Sequence, residues 1–281
     1  MNGNGKMDEK IFLDDDYISW REAPIGPSDL LGRNWVYTTI NTYAHQPMHV
    51  ALRLRYALDS YQALFSVRPE VSVEQVENRV RHLLYYGIYP EHGNTLTLYL
   101  LPPVGNSTKA EVLIAHKAST PYDGYALLSL QPKAAVTNYE IPFERHLTAV
   151  SATAARFADE YAMRNGAGIA LRANRQGTLI STGDNPLFAL RGNTLLTTPI
   201  DKGARPSAER ELMMELCQMA GVNLIEEELR VDEVASYEEI MAFTPVGIQT
   251  IGAAGERVLH SITAHALEPH LKRLTRQGIL R

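Results

Sequence analysis

Residues Arg164 to Ile200, "RNGAGIALRANRQGTLISTGDNPLFALRGNTLLTTPI", decide how this chain folds. They read as apolar runs of strand length separated by turn formers. "GIALRANRQGTLIST" and "PLFALRGNTLLTTP" each hold short strands, with Asp184-Asn185-Pro186 and Arg191-Gly192-Asn193 as turn signals. Upstream, roughly Leu147 to Arg164 reads as a helix stopped by "NGAG". Downstream, a helix is expected from about Ser207 to Ala220, stopped by Gly221. "VNLIEEELRVDEVASYEEIMAFTPVGIQTIGAAGERV" alternates strand with short helix, and a last helix runs from about His265 to Gln277.

The first half has a different order. "KIFLDDDYISW" reads as a strand and a turn, and "NWVYTTINTYAHQPMHV", rich in β-branched and aromatic residues, as a second extended stretch. In "VALRLRYALDSYQALF", Val50, Leu54, Ala57, Leu58, Tyr61 and Leu64 recur at helical spacing. A second helix starts at Ser72, where Gln75 completes a capping-box pattern; its inner face is Val76, Val80, Leu83 and Leu84, and Gly87 is expected to end it in a left-handed conformation. Two strands follow, "NTLTLYLLP" and "AEVLIAHK". The expected division is a polar tail over 1–10, an α+β N-terminal domain over 11–118, an interdomain connection over 119–141 and a C-terminal α/β domain over 142–281.

Composition narrows the function classes. The chain has 281 residues, 45% apolar and 21% charged, which is ample for a sizeable core. A net charge of −5 with scattered basic residues gives no footprint for nucleic acid. No apolar run reaches the roughly 18 residues of a membrane helix, and "MNGNGKMDEK" has no hydrophobic signal region, so a cytoplasmic protein is the expectation. The single cysteine, Cys217, excludes an internal disulfide framework and lies in an amphipathic helix pattern as a buried thiol.

Common site motifs are missing. His45 and His49 in "HQPMH" flank a proline without a third ligand nearby and read as exposed imidazoles of a loop; His260, His265 and His270 are five apart, which is not one helical face, so no zinc site is expected. There is no GxGxxG or GxxxxGK[ST] loop, "GAAG" near the end reads as a turn, and GxSxG is lacking. In Asp14–Asp16 and in Glu226–Glu228, adjacent carboxylates point different ways and do not form one site.

Element order and scattered anchors carry more. Gly177 to Ser181, Leu187-Phe188, "LLTTPI", "RHLTAVSA", "GRNWVYTTINTYAHQPMHVALRLRYALDS" and "YEEIMAFTPVGIQTI" together resemble the fold-type IV pyridoxal-phosphate enzymes. These are the class IV aminotransferases, comprising branched-chain and D-amino-acid aminotransferases and aminodeoxychorismate lyase. The resemblance spans nearly the whole chain. It implies an α+β, two-domain fold like that of D-amino-acid aminotransferase, with a small α/β N-terminal domain, a barrel-like C-terminal α/β domain and a homodimer.

The resemblance also assigns cofactor positions, and the residues there differ from the family's. The Schiff-base lysine falls on Arg145, and a guanidinium is not an imine-forming amine. The phosphate-binding arginine falls on Tyr56, the carboxylate for the ring nitrogen on Ser181, the helix N-terminal phosphate loop on Ser207, Ala208, Glu209 and Arg210, and a second phosphate threonine near Pro245. The expectation is a relative that has lost its pyridoxal phosphate site and takes no cofactor. In place of that site, Tyr37, Tyr56, Arg145 and Ser181 would line a pocket between the domains for a small anionic metabolite, a carboxylate or phosphate, to be bound, sensed or transformed without cofactor. Two alternatives stand beside it: an active pyridoxal-phosphate aminotransferase or lyase that uses Lys133, and a non-catalytic structural dimer.

Overall fold

A computed structural model describes residues 9–26, 33–103, 109–138 and 140–280. The polar tail expected over 1–10 lies outside these residues except for Glu9 and Lys10, and Lys10 opens the first strand. The chain divides into two compact units, Met1–Asp123 and Gly124–Arg281.

Unit 1 is one antiparallel sheet with two helices. Its strands are β1 (Lys10–Leu13), β2 (Asp16–Ser19), β3 (Val36–Tyr43), β4 (Gln46–Pro47), β5 (Asn94–Leu101) and β6 (Glu111–Ser119), in the spatial order β2-β1-β6-β5-β3-β4. Between β4 and β5 come α1 (Val50–Phe65) and α2 (Val73–Tyr86). Leu54, Leu58, Val80 and Leu83 of the helices pack with Val36, Ile40, Leu96 and Leu98 of the sheet in one core. That burial is what stabilises helices of this length in water. The capping box is formed as the sequence predicts: Gln75 N donates to Ser72 Oγ at 3.1 Å, and Ser72 N to Gln75 Oε1 at 2.8 Å.

Gly87 departs from expectation. Its φ is −77°, and the left-handed residue is Ile88 at φ 55°. Gly87 is needed for space instead, because a Cβ there would lie 2.4 Å from the Tyr89 ring and 2.6 Å from the Leu83 carbonyl oxygen. His49 is not exposed either; it is buried at the N-cap of α1 with φ 51°.

Unit 2 contains β7 (Ala126–Leu127), β8 (Lys133–Thr137), α3 (Ala149–Arg164), β9 (Ile169–Ala173), β10 (Leu179–Ser181), β11 (Leu187–Arg191), β12 (Thr194–Thr197), α4 (Ala208–Ala220), β13 (Leu224–Glu226), β14 (Glu239–Thr244), β15 (Gly247–Thr250), β16 (Ala253–Ala254), β17 (Arg257–Val258) and α5 (Ile262–Leu280). They form a five-stranded sheet, β10-β9-β8-β16-β17, and a six-stranded sheet, β13-β12-β11-β14-β15-β7. Leu171, Leu179, Leu187, Leu196, Tyr237, Ile240 and Ile251 make the core that both sheets enclose, the barrel-like arrangement expected. Ala158 and Ala162 of α3 pack on Ala170 of β9, and these small side chains let the helix lie close to the strand.

The stretch 119–141 is not a plain connection. The units part at Asp123 and Gly124, and 126–137 supplies β7 and β8 to the two sheets of unit 2. Both pair in parallel with strands much later in the chain, so neither shows a local hairpin pattern. The last helix begins at Ile262, earlier than expected, where both carboxylate oxygens of Glu239 accept from Thr263 N at 2.8 and 3.1 Å. Pro269 lies inside it.

Candidate functional site

β9 alternates between two surroundings. Leu171 and Ala173 point into the unit 2 core, while Ala170 faces α3. Arg172, two residues on from Ala170, lies on that second face and is fully buried. An unpaired buried cation is costly. Here Glu144, in the turn before α3, receives two hydrogen bonds from it, Nη1 to Oε1 at 3.2 Å and Nη2 to Oε2 at 2.6 Å. Nη1 also lies 3.4 Å from Ser181 Oγ and from the Gly183 carbonyl.

A second buried guanidinium completes the cluster. Arg205, just upstream of α4, donates from Nη2 to Glu144 Oε1 at 3.0 Å and from Nε to the Glu144 backbone carbonyl at 2.8 Å. Its Nη1 reaches the Asp184 carboxylate and carbonyl, each at 3.3 Å. One carboxylate therefore ties two arginines, and both its side chain and its backbone are held.

The turn so fixed presents Arg145. Phe143 has a left-handed φ of 61°, and the Arg145 side chain is exposed, with Nη2 3.4 Å from the carbonyl of Ile200. Among the described residues no carboxylate pairs with Arg145. Next to it His146 is half-buried; burial, and then the positive charges of Arg205 and Arg145, hold its imidazole below the ordinary histidine pKa, toward the neutral form. Behind Arg172, Asp159 of α3 accepts from Ala170 N at 3.3 Å; burial lifts its carboxyl above the usual range, against that hydrogen bond.

The other positions singled out by sequence are engaged within unit 2 or belong to unit 1. Ser207 is the N-cap of α4, its Oγ accepting from Arg210 N at 3.2 Å, and Ala208 and Glu209 are buried in the first turn. Arg210 donates to Thr197 Oγ1 at 2.8 Å and to Glu226. Pro245 sits in the β14–β15 turn, where the Thr244 hydroxyl donates to the Gly247 carbonyl at 3.0 Å and accepts from Val246 N at 3.2 Å. In unit 1, Tyr37 of β3 is buried edge-on against Trp35, with ring centres 5.4 Å apart, and Tyr56 is half-buried on α1 with the Arg55 guanidinium 4.9 Å from its ring. Glu226, Glu227 and Glu228 do point apart, to Arg210, Arg191 and Arg230 respectively. No group of three or more metal-ligating side chains occurs among the described residues, and no helix there is long and apolar enough to cross a membrane.

Lys133 does not join the cluster. It is exposed at the first position of β8, whereas Thr137, four residues on, is the neighbour of Arg172. At about 3.3 Å per residue the two ends of β8 are roughly 13 Å apart.

The family profile described as Amino-transferase class IV matches residues 35–244 of the 281. The chain belongs to the class IV aminotransferases. Among solved structures, the branched-chain aminotransferase of Thermoproteus uzoniensis, crystallised with norvaline, shares 18% identity over 96% of this chain and 95% of its own, with a TM-score of 0.81. A putative 4-amino-4-deoxychorismate lyase of Legionella pneumophila shares 16% over 92% and 98%, with a TM-score of 0.77. A hypothetical aminotransferase of Mycobacterium tuberculosis, solved in a pyridoxal-phosphate-bound form, shares 13% over 95% and 98%, with a TM-score of 0.79. At these identities the likeness is one of fold. No curated protein sequence matches the chain.

Pyridoxal phosphate asks particular groups of the polar side chains at this end of unit 2. Its imine needs an amine, yet the cluster is built from guanidinium and carboxylate groups and the nearest lysine by sequence opens the far end of β8. Its ring nitrogen needs a carboxylate, and Ser181 offers a hydroxyl beside a cation. The residues that position this chemistry, Glu144, Arg172, Arg205 and Asp184, were not among the sequence candidates. One signal was available: Arg172 interrupts the apolar run "IALRA".

Proposed function

We propose that this class IV aminotransferase homologue binds a small carboxylate at Arg145 without pyridoxal phosphate. The observation that carries this reading is the exposed Arg145 guanidinium without a carboxylate partner among the described residues, on a turn that two buried arginines hold through Glu144. A guanidinium offers a planar pair of N–H donors that matches a carboxylate. His146, kept toward neutral, places an uncharged imidazole beside it. Ser181, with its hydroxyl turned to Arg172, supports the cluster and does not contact the ligand.

The homodimer and the cytoplasmic location expected from sequence belong to the same proposal. Val150, Phe157 and Tyr161 form an exposed apolar stripe along one face of α3, which supports a second copy docking there.

The test is a calorimetric titration of the purified chain with acetate and other small carboxylates, beside a titration with pyridoxal phosphate. Saturable carboxylate binding that Arg145→Ala abolishes is expected. A visible imine band after pyridoxal phosphate is added, bleached by borohydride, would sink the reading.

A further inference from the structure

The cluster behind Arg145 has a charge balance, and that balance bears on the ligand. Arg172 and Arg205 bring two positive charges; Glu144 and Asp184, in direct contact with them, bring two negative ones. The formal sum of these four is zero. Asp159 is a third carboxyl near them, held by the Ala170 N–H at 3.3 Å, with its pKa raised by burial. Asp201 and Lys202, exposed in the short 3-10 turn after Ile200, are opposite in sign and adjacent. Arg175, the next arginine along, pairs with Glu140 at 2.6 Å. Arg145 is left without a compensating carboxylate among the described residues.

We infer that Glu144 determines the charge class of the ligand: together with Asp184 it neutralises Arg172 and Arg205, so that of these three guanidinium groups only Arg145 is left without a carboxylate partner among the described residues, and the site takes a monocarboxylate in preference to phosphate or a dicarboxylate. The inference rests on the carboxylate-binding reading of Arg145. Its physical basis is that an ion with a second negative charge needs a second positive charge to offset its lost hydration. Two guanidinium groups lie close by, but both are committed to Glu144. Its hydrogen bonds to both arginines also make it the positioning residue for the turn that carries Arg145.

The test compares acetate and inorganic phosphate as calorimetric probes at low ionic strength, where screening is weakest. The wild-type chain is expected to bind acetate more tightly than phosphate. Glu144→Gln keeps the side-chain shape and a carbonyl acceptor while freeing one positive charge, and should raise the phosphate-to-acetate affinity ratio by about tenfold. Asp184→Asn should shift the ratio in the same sense by less, since it touches Arg205 alone. A purely structural role for Glu144 would weaken both ions alike. A wild-type preference for phosphate, or a folded Glu144→Gln chain with an unaltered ratio, overturns the inference while leaving carboxylate binding intact. If Glu144→Gln does not fold, an unaltered ratio in Asp184→Asn overturns it. Wild-type protein that binds neither ion sinks the carboxylate reading and this inference with it.

Discussion

Glu144 and Arg172 stand 28 residues apart in sequence and meet through two hydrogen bonds, at 3.2 and 2.6 Å, beside α3. Glu144→Ala would strip both Arg172 and Arg205 of their shared carboxylate. Removing one partner of a buried ion pair typically costs about 3–5 kcal/mol, because a charge is left buried without compensation. Urea unfolding should show that loss. A change below about 1 kcal/mol would mean that water reaches the arginines.

Gly247 opens β15 with φ +128°, and a Cβ there would lie 2.0 Å from the Ala126 carbonyl oxygen. The parallel pairing of β7 with β15 depends on that close approach. Gly247→Ala should cost about 2–4 kcal/mol, through both the strained φ and the displaced strand. Hydrogen exchange should place the damage at Ala126 and Leu128, whose amides donate to the Val246 and Ile248 carbonyls respectively.

Ile88 gives a prediction of opposite sign. A β-branched residue at φ 55° is strained, and this one is 81% exposed, so little packing is lost with it. Ile88→Asn should stabilise the chain by about 0.5–1 kcal/mol, read as a higher melting temperature. No gain would mean that the neighbouring turn has already relaxed the strain.

Alkaline pH should weaken unit 2. Burial pushes the Cys217 thiol up from its ordinary 9.0 to about 12, and the Tyr237 phenol from 10.0 to about 12. Both folded-state values are raised, so the unfolded chain releases these protons first. Their contribution is fully present below about pH 9 and is lost as pH rises toward 12. Urea midpoints measured across that range should fall steadily, and Tyr237→Phe should flatten the upper part of the decline. A thiol reagent should modify Cys217 only once the chain unfolds.

Local rules found the local structure. Ser72 and Gln75 are three residues apart, and the helix they begin could be read from spacing alone. Leu54, Leu58 and Tyr61 likewise marked the buried face of α1, although Arg53 shares it, fully buried with Nη1 donating to the Thr39 carbonyl at 2.7 Å. The resemblance supplied the family and led to Arg145. It did not lead to Arg172 or Arg205, because their partner, Glu144, lies 28 and 61 residues away and no periodicity links them. Gly87 failed for a related reason: a glycine that makes room for a ring looks, in sequence, like one that reverses the chain.

The pairing of β7 and β8 has a consequence for how the chain is made. Their later partners, β15 and β16, begin at Gly247 and Ala253, while β7 begins at Ala126. Unit 1 can complete its sheet once Ser119 has left the ribosome. β8 can pair early with β9, but β7 has no strand partner and β8 keeps one open edge until β15 and β16 are synthesised, which at typical rates takes roughly 6–24 s. During that interval "ALLSLQPKAAVT" is an apolar stretch with exposed edges, so the nascent second unit is the part of this protein most dependent on chaperones.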